Sequence, residues 1–536
     1  MSAGFDIRRL GDRALLADLH DLDTVLAARD ALDATRPDGV EDIVPAACTV
    51  AVLFDPRTAR LDTVRTWLDR TLREVATHDG RTAARTAHEV VIKAVYDGED
   101  LAEAARLAGV GIDELVRRHT EETWRVAFGG FAPGFGYLVA EEEWFEVPRR
   151  PSPRTVVPAG SVALAGGFSG VYPREGPGGW QLIGRTDAPL WRPRSSPSAL
   201  LTPGTVVRFR AVESLTSGEP SGGSSPVPAA VSTPALDSAA PPASSPSITV
   251  LRAGPQLLVE DLGRAGTASI GAGRAGALDR AALRLANRLV GNAEHAAGLE
   301  VVVGTELRFE RPTWLAVTGA RGGLRLGGHP IEPDVAVLAR AGDVLSLGIA
   351  EHGLRYVIAL RGGVDVPLEL GSASTDIGAR LGPAALTDGD TIVVGGNSTG
   401  DIPAVDALTI SSPTDAEVHV HVVPGPREDW FADEAVEAFY DTEWEVTQQS
   451  NRVGARLRSP SGVTLAQAET RAGAELASEA MVPGAIQVPP SGEPTVLLAD
   501  GPVTGGYPVI AVVTDADLDS FAQLRPGQRV RFRHSR

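Results

Sequence analysis

Three glycine- and proline-rich segments in the first half of the chain bring aromatic, amide and cationic side chains close together. In the first segment, FAPGFGYL (131–138), a proline and two glycines lie between aromatic residues. Such a segment can turn backbone N–H groups toward a ligand while the rings wall a pocket, although a plain strand-turn-strand has the same pattern. Tyr137 is therefore a candidate binding residue.

The second segment carries three arginines. Arg149, Arg150 and Arg154 are separated by prolines, which restrict the backbone before a ligand arrives. Arginines held in this way suit a carboxylate or a phosphate. The alternative is that they form surface ion pairs with the acidic run 141–143, and such pairs contribute little to stability. We take Arg149 and Arg154 as candidate anion ligands.

The third segment, GVYPREGPGGWQLIGRTD, combines a glycine-rich loop with a strand. It contains Tyr172, Trp180, Gln181 and Arg185. These side chains can stack on a substrate, hydrogen-bond to it and neutralise its charge, whereas Trp180 can equally pack in a core. Together the three segments predict a site for a small anionic molecule.

Polar residues also converge in the second half, in a glycine-rich stretch at 259–292 that contains Asp261, Arg264, Asp279 and Asn287. Glycine lets the backbone approach a ligand closely. The same glycine-punctuated pattern continues toward the C-terminus, through LELGSASTD, SNRVGARL and AIQVPPSGEPTVLLADGPVTGGYP. The candidate binding residues in these later segments are Ser372, Ser374, Arg452, Gln487, Asp500 and Tyr507.

The rarity of lysine and cysteine excludes several chemistries. Lys93 is the single lysine, and it lies in the strand-like VVIKAVY, without the glycine-rich loop that a Walker phosphate site requires. Biotin or a Schiff base would need a lysine on an exposed turn or in a pocket, so we expect no covalent cofactor. Cys48 is the single cysteine, which excludes an internal disulfide, and the run AACTVAVLF predicts a buried thiol.

The overall charge argues against nucleic acid as a partner. The formal net charge is -19 and the isoelectric point is near 5.0, so the chain would repel a phosphate backbone. The opening MSAGFDIRRL has no apolar signal core, and no run of about 18 apolar residues occurs, as a membrane span would require. We therefore expect a cytoplasmic protein without a membrane partner.

Composition and periodicity predict the elements that must position these residues. With 59 glycines and 39 prolines, many short strands are favoured, so we expect a mainly β protein. Residues 1–85 alternate strand-like and helical runs, which predicts a small α+β domain, and the short strands of 86–213 suit a compact barrel. Residues 214–246 are rich in Ser, Pro, Ala and Gly and indicate a flexible linker before the region 247–536.

The three segments of the first half, in this order and spacing, resemble the family that includes the B subunit of 5-oxoprolinase, the Kip inhibitor and the first carboxyltransferase part of urea carboxylase. The resemblance implies a cyclophilin-like β-barrel after the α+β domain. His119 matches a histidine of that family's pattern, although a helix-surface histidine is the simpler interpretation. The segment VYDGEDLAE departs from the family because its glycine-rich loop is shorter.

Nearly the whole second half resembles the family that includes the C subunit of 5-oxoprolinase, the Kip antagonist and the second carboxyltransferase part of urea carboxylase. This resemblance implies two further cyclophilin-like barrel subdomains in 247–536, and hence several such barrels in the chain. One departure concerns the family's Gly-Ser-Arg-Ser-Thr element, where this chain has Ala373 in place of the arginine. An anion contact at that position is therefore expected to be missing.

The resemblance implies a component of an ATP-dependent 5-oxoprolinase, which hydrolyses 5-oxoproline to glutamate. ATP, with or without Mg²⁺, would act in the full complex, and a separate LamB-type protein, the A subunit of such enzymes, would be needed for activity. Asp261, Asp279 and His119 are then the candidate catalytic residues, and no metal ligands are assigned. Arg149, Arg154, Arg264 and Arg452 would hold phosphate or carboxylate.

Two other functions remain open at the level of sequence. The chain can instead be the carboxyltransferase component of a biotin-dependent urea or amide carboxylase, with a biotin carboxylase and a separate biotin carrier as partners. It can also be a Kip-like regulator of a histidine kinase, although joined inhibitor and antagonist halves make this less natural. Sequence leaves the substrate and the oligomeric state undecided.

Overall fold

The computed structural model describes residues 4–77, 88–215 and 247–535, apart from residues 143, 194, 196, 397, 404–412, 415 and 472. Strands account for 37% of the structure and helices for 17%, which confirms the predicted mainly β class. The predicted boundary near 85 and residues 216–246 of the predicted linker lie outside the described residues. In the described ranges, no helix is both long and apolar enough to cross a membrane.

The N-terminal unit is a four-stranded antiparallel sheet with order β1-β2-β4-β3, covered by two helices. Its elements are β1 (Asp6–Arg9), β2 (Ala14–Asp18), α1 (Leu22–Ala34), β3 (Val40–Pro45), β4 (Thr49–Phe54) and α2 (Leu61–Thr77). Asp21 caps α1 by accepting a hydrogen bond from the Thr24 amide. Cys48 lies at the β3–β4 turn and is exposed, so the predicted buried thiol is wrong, because the turn carries it out of the apolar run.

The second unit is a seven-stranded sheet with order β12-β9-β10-β7-β6-β13-β5. Val95 and Arg185 exchange backbone hydrogen bonds of 2.9 and 2.8 Å, which join the two ends of this sheet into a barrel. Its elements are β5 (Glu89–Ala94), α3 (Leu101–Leu107), α4 (Ile112–Glu121), β6 (Trp124–Gly129), β7 (Gly136–Ala140), β8 (Arg154–Val157), β9 (Ser161–Ala165), β10 (Phe168–Val171), β11 (Gly176–Gly178), β12 (Gln181–Arg185) and β13 (Val206–Ala211).

The third unit is a nine-stranded sheet whose strands share one apolar core. It is dominated by the long antiparallel pair β18 and β21, against which helix α5 packs. Its elements are β14 (Ile248–Arg252), β15 (Gln256–Glu260), α5 (Arg280–Leu289), β16 (Gly298–Val302), β17 (Glu306–Phe309), β18 (Thr313–Leu326), β19 (His329–Pro330), β20 (Ala336–Ala339), β21 (Val344–Leu360) and β22 (Thr391–Ile392).

The fourth unit is a closed barrel with order β23-β30-β27-β28-β25-β24-β31. Its core is formed by aliphatic and aromatic side chains from all seven strands. Its elements are β23 (Val418–Pro424), α6 (Asp433–Asp441), β24 (Trp444–Val446), β25 (Gly454–Arg458), β26 (Glu479–Ala480), β27 (Ala485–Gln487), β28 (Thr495–Leu497), β29 (Thr504–Gly505), β30 (Val509–Val513), α7 (Asp515–Leu518) and β31 (Arg529–His534).

The second and fourth units are built alike. In each, the last strand pairs in parallel with the first, β13 with β5 and β31 with β23. A tryptophan that opens the strand after the helix donates its indole N–H to a carbonyl five residues earlier, from Trp124 to His119 and from Trp444 to Phe439. The last strands come from the similar sequences LTPGTVVRFR (201–210) and LRPGQRVRFR (524–533). This internal repeat can be seen in the sequence, although it was not among our sequence-based predictions.

The two halves of the chain share a core. The N-terminal sheet packs against the fourth unit, and a single apolar cluster joins residues of both, including Leu10, Val44, Met481 and Val512. Because this cluster is buried, the halves form one packed body rather than two independent domains.

Candidate functional site

The backbone of the two halves meets along a seam formed by the loops 129–135, 266–273 and 500–507. The Gly134 amide donates to the Ile270 carbonyl across 3.2 Å. Gly271 has φ of 80°, and a Cβ added there would lie 2.6 Å from the Ala132 carbonyl oxygen. A Cβ at Gly130 would lie 2.2 Å from the Thr504 hydroxyl oxygen. The FAPGFGYL segment therefore belongs to the contact between the halves.

An aromatic wall lines the first-half side of the seam. Phe131 has φ of 62°, a rare conformation for a residue with a side chain, and is 42% exposed. Its ring lies edge-on to Tyr172 at 5.7 Å between centroids, and Phe135 lies edge-on to Tyr137 at 5.1 Å. Strained backbone of this kind often occurs at functional sites. The aromatic wall thus combines the exposed ring of Phe131 with the buried phenols of Tyr137 and Tyr172.

The phenol of Tyr137 connects this wall to the second half. Burial raises the pKa of Tyr137, while the charge of Arg149 and a hydrogen bond with Ser478 oppose the increase. Burial likewise raises the pKa of Tyr172, to about 12, and Arg149 again opposes it. Arg149 is exposed and makes no ion pair within 4 Å among the described residues. The exposed guanidinium of Arg149 therefore lies near both phenols.

The other predicted arginines of the first half have partners. Arg150 and Arg154 each lie 2.8 Å from the carboxylate of Asp100, and Arg154 also lies 2.6 Å from Glu99. Arg185 pairs with Asp97 at 2.9 Å. The three carboxylates belong to VYDGEDLAE, the loop that departs from the family pattern.

The remaining candidates of the first half lie deeper. The amide nitrogen of Gln181 donates to the Pro148 carbonyl across 3.2 Å, and its oxygen is buried without a described partner. Trp180 is buried, as in the core interpretation. Glu143, part of the acidic run considered as a partner for the arginines, lies outside the described residues.

His119 lies in the core of the first barrel, away from the seam. Its ring nitrogens make hydrogen bonds of 2.7 Å with the Tyr96 hydroxyl and 2.8 Å with the Ser169 hydroxyl. Burial lowers its pKa to about 3, so the ring is neutral at physiological pH. The residue is fully buried, which differs from the helix-surface position considered from sequence. This environment suits a histidine that holds the barrel together.

Asp261 is held by several hydrogen-bond donors. It accepts from the hydroxyls of Ser372 and Ser374 at 2.7 and 2.5 Å, from the Ala373 amide at 2.8 Å and from the Gly263 amide at 2.7 Å. Ala373 thus contributes its backbone N–H where the family places an arginine. The arrangement fixes the SAST loop, which leads directly to Asp376.

Arg452 and Asp500 lie inside a buried charge network. Arg452 is 2.9 Å from Asp500 and 2.6 Å from Glu300. Its distance to Glu260 is 3.2 Å, and burial raises the pKa of Glu260 well above its ordinary value. Arg355 joins the network at 3.5 Å from Glu300. The guanidinium of Arg452 is therefore occupied by carboxylates of the protein.

Asp279 and Asn287 lie at the two ends of α5. Asp279 caps the helix by accepting from the Ala282 amide at 2.8 Å, and it also accepts from Gln523 at 2.6 Å. Burial raises the pKa of Asp279 to about 6. Asn287 donates to the Ala296 carbonyl at 2.8 Å, which fastens the loop after the helix. Both side chains have structural partners.

Tyr507 and Gln487 lie on the fourth unit. Tyr507 belongs to the seam and is 45% exposed, so it is accessible to a ligand there. Gln487 is half-buried at the end of β27. The structure thus brings Tyr137, Tyr172, Arg149 and Tyr507 to the seam region, while most other candidates lie in the supporting networks.

Two residues able to take part in chemistry, Asp376 and Arg174, were not among our candidates, whereas Arg264 was a predicted ligand for phosphate or carboxylate. Burial raises the pKa of Asp376 to about 6, and nearby Asp500 adds to the increase, while Arg264 and Arg452 oppose it. Arg174 of the first half interacts electrostatically with Asp376 of the second. Arg264 is 2% exposed, and its Nε and Nη1 have no described partner. Asp376 and Arg174 lie within segments quoted from the sequence, but only the fold shows their proximity.

These features place the chain in a defined class. Residues 270–534 match the family model "Carboxyltransferase domain, subdomain A and B", and residues 5–201 match "Carboxyltransferase domain, subdomain C and D". The chain therefore belongs to the carboxyltransferase-domain family.

Each half of the chain is similar to a different subunit of 5-oxoprolinase. The chain is 36% identical over 289 residues to the C subunit of the 5-oxoprolinase of Escherichia coli, spanning 53% of this chain and 90% of that protein. It is 33% identical over 228 residues to the B subunit of the 5-oxoprolinase of Bacillus subtilis, spanning 39% of this chain and 93% of that protein. The chain is thus a fusion of homologues of these B and C subunits.

Two further comparisons extend this assignment. The urea amidolyase of Saccharomyces cerevisiae is 32% identical over 286 residues, which span 50% of this chain and 16% of that enzyme. The crystal structure of TTHA0988 superposes with a TM-score of 0.81 at 32% identity, covering 97% of this chain and 99% of that one. The predicted resemblance to a B–C fusion is confirmed, and the relatives named as subunits belong to multi-subunit enzymes.

Proposed function

We propose that this chain is the joined B and C component of an ATP-dependent 5-oxoprolinase, which opens the lactam of 5-oxoproline to form glutamate together with a LamB-type partner. The observation that carries the proposal is the coverage of the relatives. The first half matches 93% of the length of its B-type relative, and the second half matches 90% of the length of its C-type relative.

The seam offers groups suited to this reaction. The substrate is a small ring with a carboxylate, and the seam combines an exposed aromatic ring at Phe131 with the exposed guanidinium of Arg149. Asp376 has a pKa near the range that general acid–base catalysis requires. We therefore assign Asp376 the transfer of a proton to or from the reacting amide or the attacking water.

The residues present also fit a nucleotide phosphate. The single lysine lies in strand β5, so a lysine-based phosphate loop is not used, and arginines must serve instead. Arg149 and Arg174 make no ion pair within 4 Å among the described residues and are the candidates to hold phosphate. Bound ATP would supply activation of the amide oxygen, and the chain's own residues would orient the ring toward the attacking water.

The direct test reconstitutes the complex. The chain, a LamB-type partner, ATP and 5-oxoproline are mixed, and glutamate and ADP are measured over time. We expect both products in equal amounts, with none when ATP or either protein is omitted. Arg174→Gln is expected to reduce the rate at least tenfold, whereas Arg60→Gln, at an exposed arginine of the N-terminal unit, should not. Glutamate at background level would reject the proposal.

Carboxyl transfer is the second candidate, because both matching family models are described as carboxyltransferase domains. Under this function, biotin on a separate carrier would deliver a carboxyl group to urea or a related amide at the same seam. The same preparation is then supplied with a biotin carboxylase, its carboxylated carrier and ¹⁴C-bicarbonate. Label transferred to urea, with no glutamate from 5-oxoproline, would favour this function over the first.

A further inference from the structure

The first strand of the chain leaves one edge of the N-terminal sheet open. In the order β1-β2-β4-β3, β1 lies at the end of the sheet and pairs with β2 alone among the described residues. An open strand edge presents N–H and C=O groups that can pair with another extended chain, and proteins usually charge or cover such edges. The groups that β1 presents therefore decide what can bind there.

The register of the first two strands shows which backbone groups face outward. The Leu10 amide donates to the Ala14 carbonyl across 3.0 Å, and the same register continues along β1. Because hydrogen-bonded pairs alternate along an antiparallel ladder, the backbone groups of Ile7 and Arg9 face away from β2. Arg65 of α2 donates to the Ile7 carbonyl across 3.2 Å, in agreement with this assignment. The N–H groups of Ile7 and Arg9 and the Arg9 carbonyl have no hydrogen-bond partner among the described residues.

A groove of about 480 Å³ lies along this edge. Among the described residues, its walls are Asp6, Arg8 and Arg9 of β1 and residues 423–426 of the fourth unit, whereas no residue of β2 or of the seam loops lines it. Arg8 joins the two walls, because its guanidinium donates to the Pro426 carbonyl across 2.8 Å. The groove therefore lies on the outer side of β1 and is separate from the seam.

The charges at the groove favour an acidic partner. Arg8 is neutralised by Asp6 and Asp18, at 3.0 and 3.1 Å. Arg9 is exposed and makes no ion pair within 4 Å among the described residues. Directly opposed side chains of neighbouring antiparallel strands lie on the same face, and opposite charges at such positions attract. A strand added to this edge would therefore be stabilised by an acidic residue opposite Arg9.

We propose that the open edge of β1 binds an extended acidic segment of a partner protein, which adds a fifth, antiparallel strand to the N-terminal sheet. Its acidic side chain lies opposite Arg9, and an apolar side chain on the next residue lies in the groove against Val423 and Pro424. Backbone hydrogen bonds to Ile7 and Arg9 supply affinity, and the two side-chain positions supply specificity. The proposal is independent of the 5-oxoprolinase function.

Fluorescence polarisation of a labelled peptide with the full chain tests the proposal. The probe is fluorescein-Thr-Val-Glu-Val-Thr-amide, and we expect it to bind saturably. A second peptide is methylated at the backbone nitrogen of its glutamate, so it lacks the N–H that would donate to the Arg9 carbonyl. Loss of this hydrogen bond should weaken binding roughly tenfold. Equal binding of the two peptides, or no saturable binding of the first, would overturn the proposal.

Charge reversal tests the location. Arg9→Glu should weaken binding of the glutamate peptide roughly fivefold and should favour a peptide with lysine in place of that glutamate. Arg60→Glu is the matched control, because Arg60 is also exposed in the N-terminal unit but does not line the groove. An unchanged preference between the two peptides in Arg9→Glu would place the binding elsewhere and contradict the proposal. Self-association of the chain that Arg9→Glu abolishes, without peptide binding, would assign the edge to a second copy and equally contradict it.

Discussion

At the residue scale, the placement of charge decides which groups are available for chemistry. Arg150, Arg154 and Arg452 are satisfied by carboxylates of the protein, whereas Arg149 and Arg174 make no ion pair within 4 Å among the described residues. A buried guanidinium already held by carboxylates cannot bind a substrate without leaving those carboxylates unpaired, which costs several kcal/mol. Arg149 and Arg174 therefore carry the functional proposal.

Asp376→Asn is expected to stabilise the protein and to inactivate it. The folded pKa of about 6 lies above the ordinary value of 3.8, so the folded state binds the proton more tightly than the unfolded chain. Ionising Asp376 in the folded protein therefore lowers the free energy of unfolding. This loss grows as pH rises from about 4 to 6 and is complete above that range. At pH 8 we expect a gain on the order of 1 kcal/mol in the free energy of unfolding, and none at pH 4.

Activity of the reconstituted complex should fall at least 100-fold in this variant, because an amide cannot transfer the proton. Asp187→Asn, at an exposed residue without a described side-chain partner, serves as the control in urea unfolding and in the glutamate assay. Full activity combined with lower stability at pH 8 would contradict the assigned role of Asp376.

His119→Gln is expected to change the pH dependence of stability. The folded pKa of His119 is about 3, below the ordinary value of 6.5, so the unfolded state takes up the proton first. This single group therefore makes stability fall by about 1.4 kcal/mol for each pH unit below 6.5. Glutamine cannot be protonated, so the variant should be less stable at pH 7.5 but show a shallower decline between pH 6.5 and 4.5. Parallel curves for wild type and variant would argue against a neutral buried histidine.

At the element scale, close approach of loops builds the seam. Asp42, on β3, reaches across to the second half and accepts from the Ala268 amide at 2.7 Å. Residues Ala268–Ile270 form a short 3-10 turn, and the Ile270 carbonyl accepts from Gly134. The N-terminal sheet, the turn and the FAPGFGYL loop are thus linked in series, so a change in one shifts the others.

Gly271→Ala tests this link, with Gly304→Ala as a matched control. Both glycines have φ near 80°, so both substitutions carry a similar cost in backbone strain, about 1–2 kcal/mol. Only at Gly271 would the added Cβ meet a backbone atom, the Ala132 oxygen at 2.6 Å, whereas nothing lies within 4 Å at Gly304. We expect Gly271→Ala to lose at least tenfold more activity. Hydrogen exchange should also show faster exchange in 129–135 for this variant alone, and equal effects would exclude the seam contact.

At the scale of the whole molecule, the two halves contact each other through an interface like that between two subunits. Arg427 forms buried ion pairs with Asp18 of the N-terminal sheet and Glu479 of its own half. Arg13 and Asp515 form another pair between the halves, at 2.6 Å. These contacts accompany a shared apolar cluster. Such an interface should persist without the covalent connection.

Cleavage between the halves tests this expectation. A protease site is placed within 216–246, and the cut protein is analysed by gel filtration. We expect the fragments to elute together. Arg427→Ala should weaken their association by about 3–5 kcal/mol, because it removes the ion-pair partner of the buried Glu479 carboxylate. Arg458→Ala, which breaks the exposed pair with Glu445 inside one barrel, should have little effect. If the two fragments eluted separately after cleavage, with no substitution at the interface, the prediction would be wrong.

The sequence by itself determined the mainly β class and, through three ordered motifs, the resemblance to a fusion of the B and C subunits. Both follow from local patterns, because turn residues and motif spacing are properties of neighbouring positions. The similar segments LTPGTVVRFR and LRPGQRVRFR could also be seen in the sequence, and they would have indicated that the second and fourth units are built alike.

Only the tertiary structure shows which candidate arginines form ion pairs with carboxylates of the described residues. Asp100 neutralises Arg154 from 54 positions away, and Glu300 reaches Arg452 across 152 positions. The proximity of Arg174 and Asp376 depends on the packing of one half on the other. Ion pairs form where the fold brings groups within about 4 Å, and a linear pattern carries no record of that distance.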